Sequence, residues 1–125
     1  MGKLILLVGA GGAVGSIARF LSQQLIVRYY PSSFPWGTLV VNVLGCFIIG
    51  VIYALGERGN LLSPEMRILL ATGFCGGFTT FSSFAYENIS LLKDGELLYT
   101  FIYIASSIII GFLAAYLGVL LVKSY

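Results

Sequence analysis

The residues of this chain with chemistry to offer are hydroxyls, one amide and a set of phenylalanines, and most of them stand together. Gly73-Phe74-Cys75-Gly76-Gly77-Phe78-Thr79-Thr80-Phe81-Ser82-Ser83-Phe84 lies inside an apolar segment from near Met66 to near Leu92, with Thr79 at its midpoint. Adjacent glycines followed by two threonines make a poor helix interior. Glycine costs about 1 kcal/mol against alanine, and β-branched threonine loses rotamer freedom. A helix break at mid-membrane frees main-chain carbonyls where no water reaches them. Such backbone survives there only if it is buried in protein, lines a wet cavity or holds an ion. Phe78, Phe81 and Phe84, at spacing three, drift slowly around one side of the helix that follows, with Thr79, Thr80, Ser82 and Ser83 beside them. Break, hydroxyls and aromatic ladder together point to an ion site. A packing helix softened by glycine and serine is the plainer alternative.

Three more groups stand apart from that stretch. Asn42 is the single amide of its apolar run, with Thr38 one turn before it and Gly45 and Cys46 on the same face. An intramembrane asparagine is either interhelical glue worth about 1 kcal/mol or an uncharged donor that can hold an anion briefly. Arg19 continues the small-residue face of Gly11 and Gly15, where it either snorkels to the interface or lines an aqueous entrance. Tyr103, Ser107, Gly111 and Ala115 recur at spacing four as a small, partly polar face, and Glu87 follows Ser83 by one turn, where most carboxylates flank a helix end. The glycines at 9, 11, 12 and 15 miss the dinucleotide fingerprint, because Val14 takes the last glycine's place and no strand precedes them.

Positioning these groups falls to helices in a bilayer. Of 125 residues 58% are apolar and 10% charged, more apolar surface than a soluble domain of this size can hide. The fold class expected is all-α integral membrane, one domain over residues 1–125, with spans at about 4–27, 36–55, 66–92 and 97–122 and the third broken at its middle. The apolar run after Lys3 continues past the core of a signal peptide and reads as a retained helix. Trp36 takes the place of an aromatic-belt anchor, and Glu57 to Glu65, Asn60 included, forms the longest polar connection, with Ser63 as N-cap and Pro64 at the first helical position. Lys93-Asp94-Gly95-Glu96 is a tight turn. A net charge of +2 with no basic stripe argues against nucleic acid. The absence of histidine removes the usual general base and metal ligand, and enzyme chemistry is not expected. Cys46 and Cys75 read as small packing residues rather than a disulfide or zinc pair.

The cations leave orientation open. With the N-terminus inside, Lys3, Arg58, Arg67 and Lys123 face the cytoplasm, and Arg28, Lys93 and the deep Arg19 face away. Near balance gives no firm orientation, so the chain reads as able to insert both ways. Two inverted copies meet at equal depth only at the midplane, where a central break can join its counterpart and share an ion among carbonyls.

The motifs G-A-G-G-A-V-G-S-I-A-R-F, W-G-T-L-V-V-N-V-L-G and G-F-C-G-G-F-T-T-F-S-S-F, one in each of the first three spans, resemble the Fluc (CrcB) family of fluoride channels, and the resemblance covers essentially the whole chain. That resemblance implies a dual-topology homodimer in the cell inner membrane. It also implies two antiparallel pores that let fluoride leave the cytoplasm passively, and a structural Na⁺ at the dimer centre. It maps the Na⁺ carbonyls to Gly76 and Thr79, the pore to Asn42, Thr80, Phe81, Ser83, Phe84, Tyr103 and Ser107, and a vestibule arginine to Arg19. Gly111, one turn after Ser107, stands where relatives often carry a further hydroxyl. Two other classes remain. A small multidrug-type antiporter needs a buried carboxylate in the first span, and residues 4–27 contain none. A non-transporting membrane assembly protein leaves the Thr/Phe/Asn constellation unexplained.

Overall fold

The computed structural model describes residues 1–58 and 61–123. Asn60, expected in the polar connection, lies outside them. Among the described residues four helices are long and apolar enough to cross a membrane: α1 (Gly2–Tyr29), α2 (Trp36–Glu57), α3 (Pro64–Lys93, broken once) and α4 (Leu97–Lys123). Even the shortest, α2 with 22 residues, reaches about 33 Å at 1.5 Å per residue, enough for the hydrocarbon core. No strand occurs among the described residues.

The helix ends carry the expected signals. The Ser63 hydroxyl accepts the Met66 amide at 3.1 Å, with Pro64 in the first turn. Gly95 takes φ +76, which lets the Gly95 and Glu96 amides turn back onto the Leu92 and Leu91 carbonyls at 3.1 and 2.9 Å. That pair of bonds is a Schellman closure, and it needs a left-handed residue that glycine supplies without strain.

Two helix pairs pack tightly, both through glycine. Helices in lipid gain little from apolar burial against one another, so close backbone approach must supply the contact. Between α1 and the first half of α3, a Cβ at Gly11 would run into the Leu69 carbonyl oxygen and one at Gly15 into that of Phe74. One at Gly77 would lie 2.5 Å from the Gly12 carbonyl. Between α2 and α4, Gly50 lies against the Ala115 carbonyl and Gly118 against that of Phe47. The face of Gly11 and Gly15 read from spacing is therefore a contact face.

The third helix departs from regularity twice. After an α-helical turn at Pro64–Arg67 it widens into a π-helix over Ile68–Cys75, and the Gly76 amide reaches back five residues to Ala71. Nothing in the local sequence announces this widening. Gly76–Phe78 closes the first half. The chain then runs extended through Thr79 (φ −96, ψ 158) and Thr80 (φ −150, ψ 117) before helix resumes at Phe81–Lys93. The break falls on the threonines, whose β-branching suits extended backbone, while the two glycines before them stay helical. It also splits the aromatic ladder. Phe78 is buried and stacks on Phe74 at 5.5 Å, whereas Phe81 and Phe84 lie beyond the break, in the helix that resumes at Phe81. The expectation that all three share one side is corrected by that turn in the chain.

Candidate functional site

Asn42 holds the break. Its Oδ1 accepts the Thr80 amide at 2.8 Å, and its Nδ2–H donates to the Thr80 carbonyl at 3.1 Å. One α2 side chain thus satisfies both backbone groups of the residue that helix geometry abandons, in a medium where each unmet group costs several kcal/mol. The Thr80 hydroxyl accepts the Ser83 amide at 3.2 Å and caps the second half of α3. On the near side, the Cys75 carbonyl accepts both the amide and the hydroxyl of Thr79, at 3.0 and 2.8 Å. From α1, Arg19 Nε–H donates to the Gly77 carbonyl at 2.9 Å.

These bonds divert donors from two carbonyls. The Thr80 amide, which would close a helical turn onto the Gly76 carbonyl, goes to Asn42 instead. The Ser83 amide, which would reach the Thr79 carbonyl, goes to the Thr80 hydroxyl. Gly76 faces outward, and a Cβ built on it meets no atom within 4 Å. Uncharged backbone oxygens of this kind are hard ligands for a hard cation. Among the described residues no group of three His, Cys, Asp or Glu side chains competes for that role.

Beyond the break lies a groove of about 340 Å³ between α2, α3 and α4, lined by Asn42, Cys46, Thr80, Phe81, Phe84 and Ser107 among others. The Ser107 hydroxyl is shielded from solvent and has no hydrogen-bond partner among the described residues. It stands ready to donate, as does the Asn42 N–H that Thr80 does not use. Gly111 keeps the groove open one turn further, since a Cβ there would meet only Cys46 Sγ, at 3.5 Å. Phe81 is 78% exposed on the open side.

A second chamber, about 440 Å³, opens toward the α1–α2 loop and is lined by Gln23, Thr38, Ser83, Glu87 and Ser90 among others. Here one carboxylate ties all four helices. The Tyr103 hydroxyl donates to Glu87 Oε1 at 2.9 Å, the Thr38 hydroxyl donates to Oε2 at 3.0 Å, and Gln23 Nε2–H donates to Thr38 at 3.1 Å. Phe84, which lines the groove, and the wholly buried Tyr103, which reaches Glu87 of the chamber, have ring centroids 4.9 Å apart, and Phe34 lies 5.6 Å from Tyr103. Thr80, Ser83, Glu87 and Ser90, at spacings three, four and three, make one polar face that runs from groove to chamber.

The groove therefore gathers Asn42, Thr80, Phe81, Phe84 and Ser107, with Tyr103 behind them and Ser83 in the adjoining chamber. Arg19 reaches the opposite side of the break, at the Gly77 carbonyl. Sequence reasoning missed the chain from Gln23 through Thr38 and Glu87 to Tyr103. Its only local hints were Thr38 one turn before Asn42 and Glu87 one turn after Ser83. Chemically, the groove offers neutral N–H and O–H donors, aromatic edges carrying positive quadrupole and no lysine or arginine to trap an anion.

Comparison with known proteins fits this chemistry. The model of the family described as CrcB-like protein, Camphor Resistance (CrcB), matches residues 6–119. A protein of Chlorobium phaeobacteroides (strain BS1) is 56% identical over 119 residues, 95% of this chain and 92% of its own length. One of Gloeothece citriformis is 50% identical over 119 residues, 95% of this chain and 96% of its own length. One of Leptospira interrogans is 46% identical over 123 residues, 98% of this chain and 97% of its own length. All three are named fluoride-specific ion channel FluC.

Proposed function

The chain belongs to the CrcB-like family, and from that premise we propose that it is a multi-pass fluoride channel, not an enzyme, that lets fluoride leave the cytoplasm through the inner membrane. The observation that carries this reading is the buried, partnerless Ser107 hydroxyl sharing a groove with the spare Asn42 N–H. Fluoride is small and tightly hydrated, so a narrow passage must replace its water with strong donors. Uncharged donors do so without holding the ion permanently. The edges of Phe81 and Phe84 add weak attraction along the same wall. Further along, Ser83 continues the polar face toward the chamber.

The channel works as a dual-topology homodimer with two pores. One copy supplies only part of the enclosure: Phe81 and Phe112 on the groove's open side are 78% and 76% exposed. An inverted second copy covers these rings and completes each passage. A structural Na⁺ at the dimer centre, held by Gly76 and Thr79 carbonyls, fits the donor accounting, because the amides that would satisfy those oxygens are engaged elsewhere. Bound there, the ion supplies fixed positive charge in a low-dielectric region.

Efflux of fluoride from liposomes carrying the purified protein tests the reading. Fluoride flux down its own gradient is expected, undriven by a Na⁺ gradient but weakened when Na⁺ is replaced on both sides by a large organic cation. Uphill fluoride accumulation driven by Na⁺ would make the protein a coupled transporter. A cysteine at Ser63 should be labelled from both faces of the cell membrane, and labelling from one face alone would remove dual topology.

A further inference from the structure

Cys46 and Cys75 have no part in the passage just described, yet both border its groove. Cys46 comes from α2 and Cys75 from the π-helical half of α3, and both are free thiols. Cys46 Sγ fills the space in front of Gly111, where an added Cβ would meet it at 3.5 Å. Cys75 is 1% exposed and packed with Ile52 and Ala71. The groove that both cysteines border is lined also by Gly45, Ile49, Ile108 and Phe112, and it holds no carboxylate and no lysine or arginine. Two soft sulfurs from different helices in such a setting make a ligand pair for a cation that prefers sulfur to oxygen and is content with two ligands.

We propose that Cys46 and Cys75 form a binding site for a thiophilic, two-coordinate metal cation of the Cu⁺ or Hg²⁺ class, and that its occupation closes the groove. Each thiol gives its proton to water as its sulfur takes the metal, so binding releases two protons and needs no oxidant. The hard carbonyl oxygens of Gly76 and Thr79 suit Na⁺ and not this ion. The two cation preferences are thus separated by ligand type. The inhibitory half of the proposal rests on the channel reading; the binding half does not.

The probe is Hg²⁺, applied to the dimeric protein in liposomes in parallel with a count of bound mercury and free thiols on the same protein in detergent. Wild type should bind one Hg²⁺ per chain with loss of both thiols, and fluoride efflux should fall at least tenfold, restored by excess dithiothreitol. Cys46→Ser and Cys75→Ala should each need at least tenfold more Hg²⁺ for the same inhibition, and the double variant should be insensitive. Cys46→Ser, at a half-buried position, keeps the test open if Cys75→Ala fails to fold. Full sensitivity in Cys46→Ser, or two Hg²⁺ bound per chain, would overturn the paired site. Normal binding with undiminished efflux would overturn closure of the groove. Absence of fluoride efflux in untreated wild type would instead count against the channel reading, and the mercury count would still decide the site.

Discussion

Helix α3 has two neighbourhoods, and glycine does opposite work in them. Toward α1, Gly11, Gly15 and Gly77 are pressed against carbonyl oxygens with no room for a methyl group. Toward α2 and α4, Gly45 is also pressed, against the Thr79 methyl, but at the level of the groove Gly111 faces open space bounded by one cysteine sulfur. The first neighbourhood is backbone against backbone, dry and closed. The second is held open and lined by hydroxyls and an amide. The contrast teaches that the groove stays open because the break is braced from behind: α1 fixes the first half of α3, Arg19 takes the Gly77 carbonyl, and Asn42 can then hold Thr80 from the groove side.

The largest effect should come from breaking the closed side. In Gly15→Val the new side chain meets the Phe74 carbonyl, which is backbone and cannot swing away. Overpacking costs typically about 1–3 kcal/mol and more where backbone must move. Loss of monodisperse, folded protein on size-exclusion chromatography is the expected outcome. A monodisperse, conducting Gly15→Val protein would show that the α1 contact is not the brace described above.

Next is the clamp itself. Asn42→Asp keeps the shape and can still accept the Thr80 amide, but it has no N–H for the Thr80 carbonyl and sets a carboxylate beside the passage. Two losses combine, one of backbone satisfaction and one of anion attraction. Fluoride flux should fall about a hundredfold, equal to about 2.7 kcal/mol, with folding largely kept. Near-normal flux from a well-folded Asn42→Asp protein would confine Asn42 to a packing role.

How much of this could be read from the chain follows from where each signal is stored. The four spans are stored locally, as runs of apolar residues, and so are the Ser63 cap and the Gly95 turn. The Thr79–Thr80 break was legible because glycine and threonine disfavour helix whatever surrounds them. Its register was not, since whether Gly76 or Thr79 leaves the helix depends on Asn42, 38 residues away, reaching Thr80. The Glu87 chain was hidden for the same reason. Gln23, Thr38, Glu87 and Tyr103 lie on four helices, and no spacing along the chain brings them together. The π-helical widening at Ile68–Cys75, where α1 and α2 pack against α3, likewise has no signal in its own residues.

A third test compares the chamber with the groove. Glu87→Ala removes both acceptors and leaves the Tyr103 hydroxyl, wholly buried, without its partner. An orphaned buried donor costs about 1–3 kcal/mol. Thermal unfolding in detergent should show that loss. Glu87→Gln, which keeps one carbonyl oxygen for Tyr103, should recover most of it. Equal loss in both variants would mean that the carboxylate's charge, and not its hydrogen bonds, holds the four helices together.

The smallest effect belongs to the open glycine. Gly111→Ser places a Cβ 3.5 Å from Cys46 Sγ, an ordinary van der Waals contact, and adds a hydroxyl one turn beyond Ser107 on the face already marked by Tyr103 and Ser107. Relative to glycine, serine also improves helix propensity by a few tenths of a kcal/mol in α4. Nothing must move to admit it, in contrast to Gly15 on the closed side of α3. The variant should therefore fold at least as well as wild type. Its hydroxyl can donate to an anion in the groove or back-bond to the carbonyl one turn earlier, and these uses oppose each other in their effect on flux. Fluoride efflux within about twofold of wild type is the expected result, about 0.4 kcal/mol in barrier height. A collapse in flux with the fold intact would show that the groove tolerates no added atom at this level, and that Gly111 sets its width as strictly as Gly15 sets the spacing of α1 and α3.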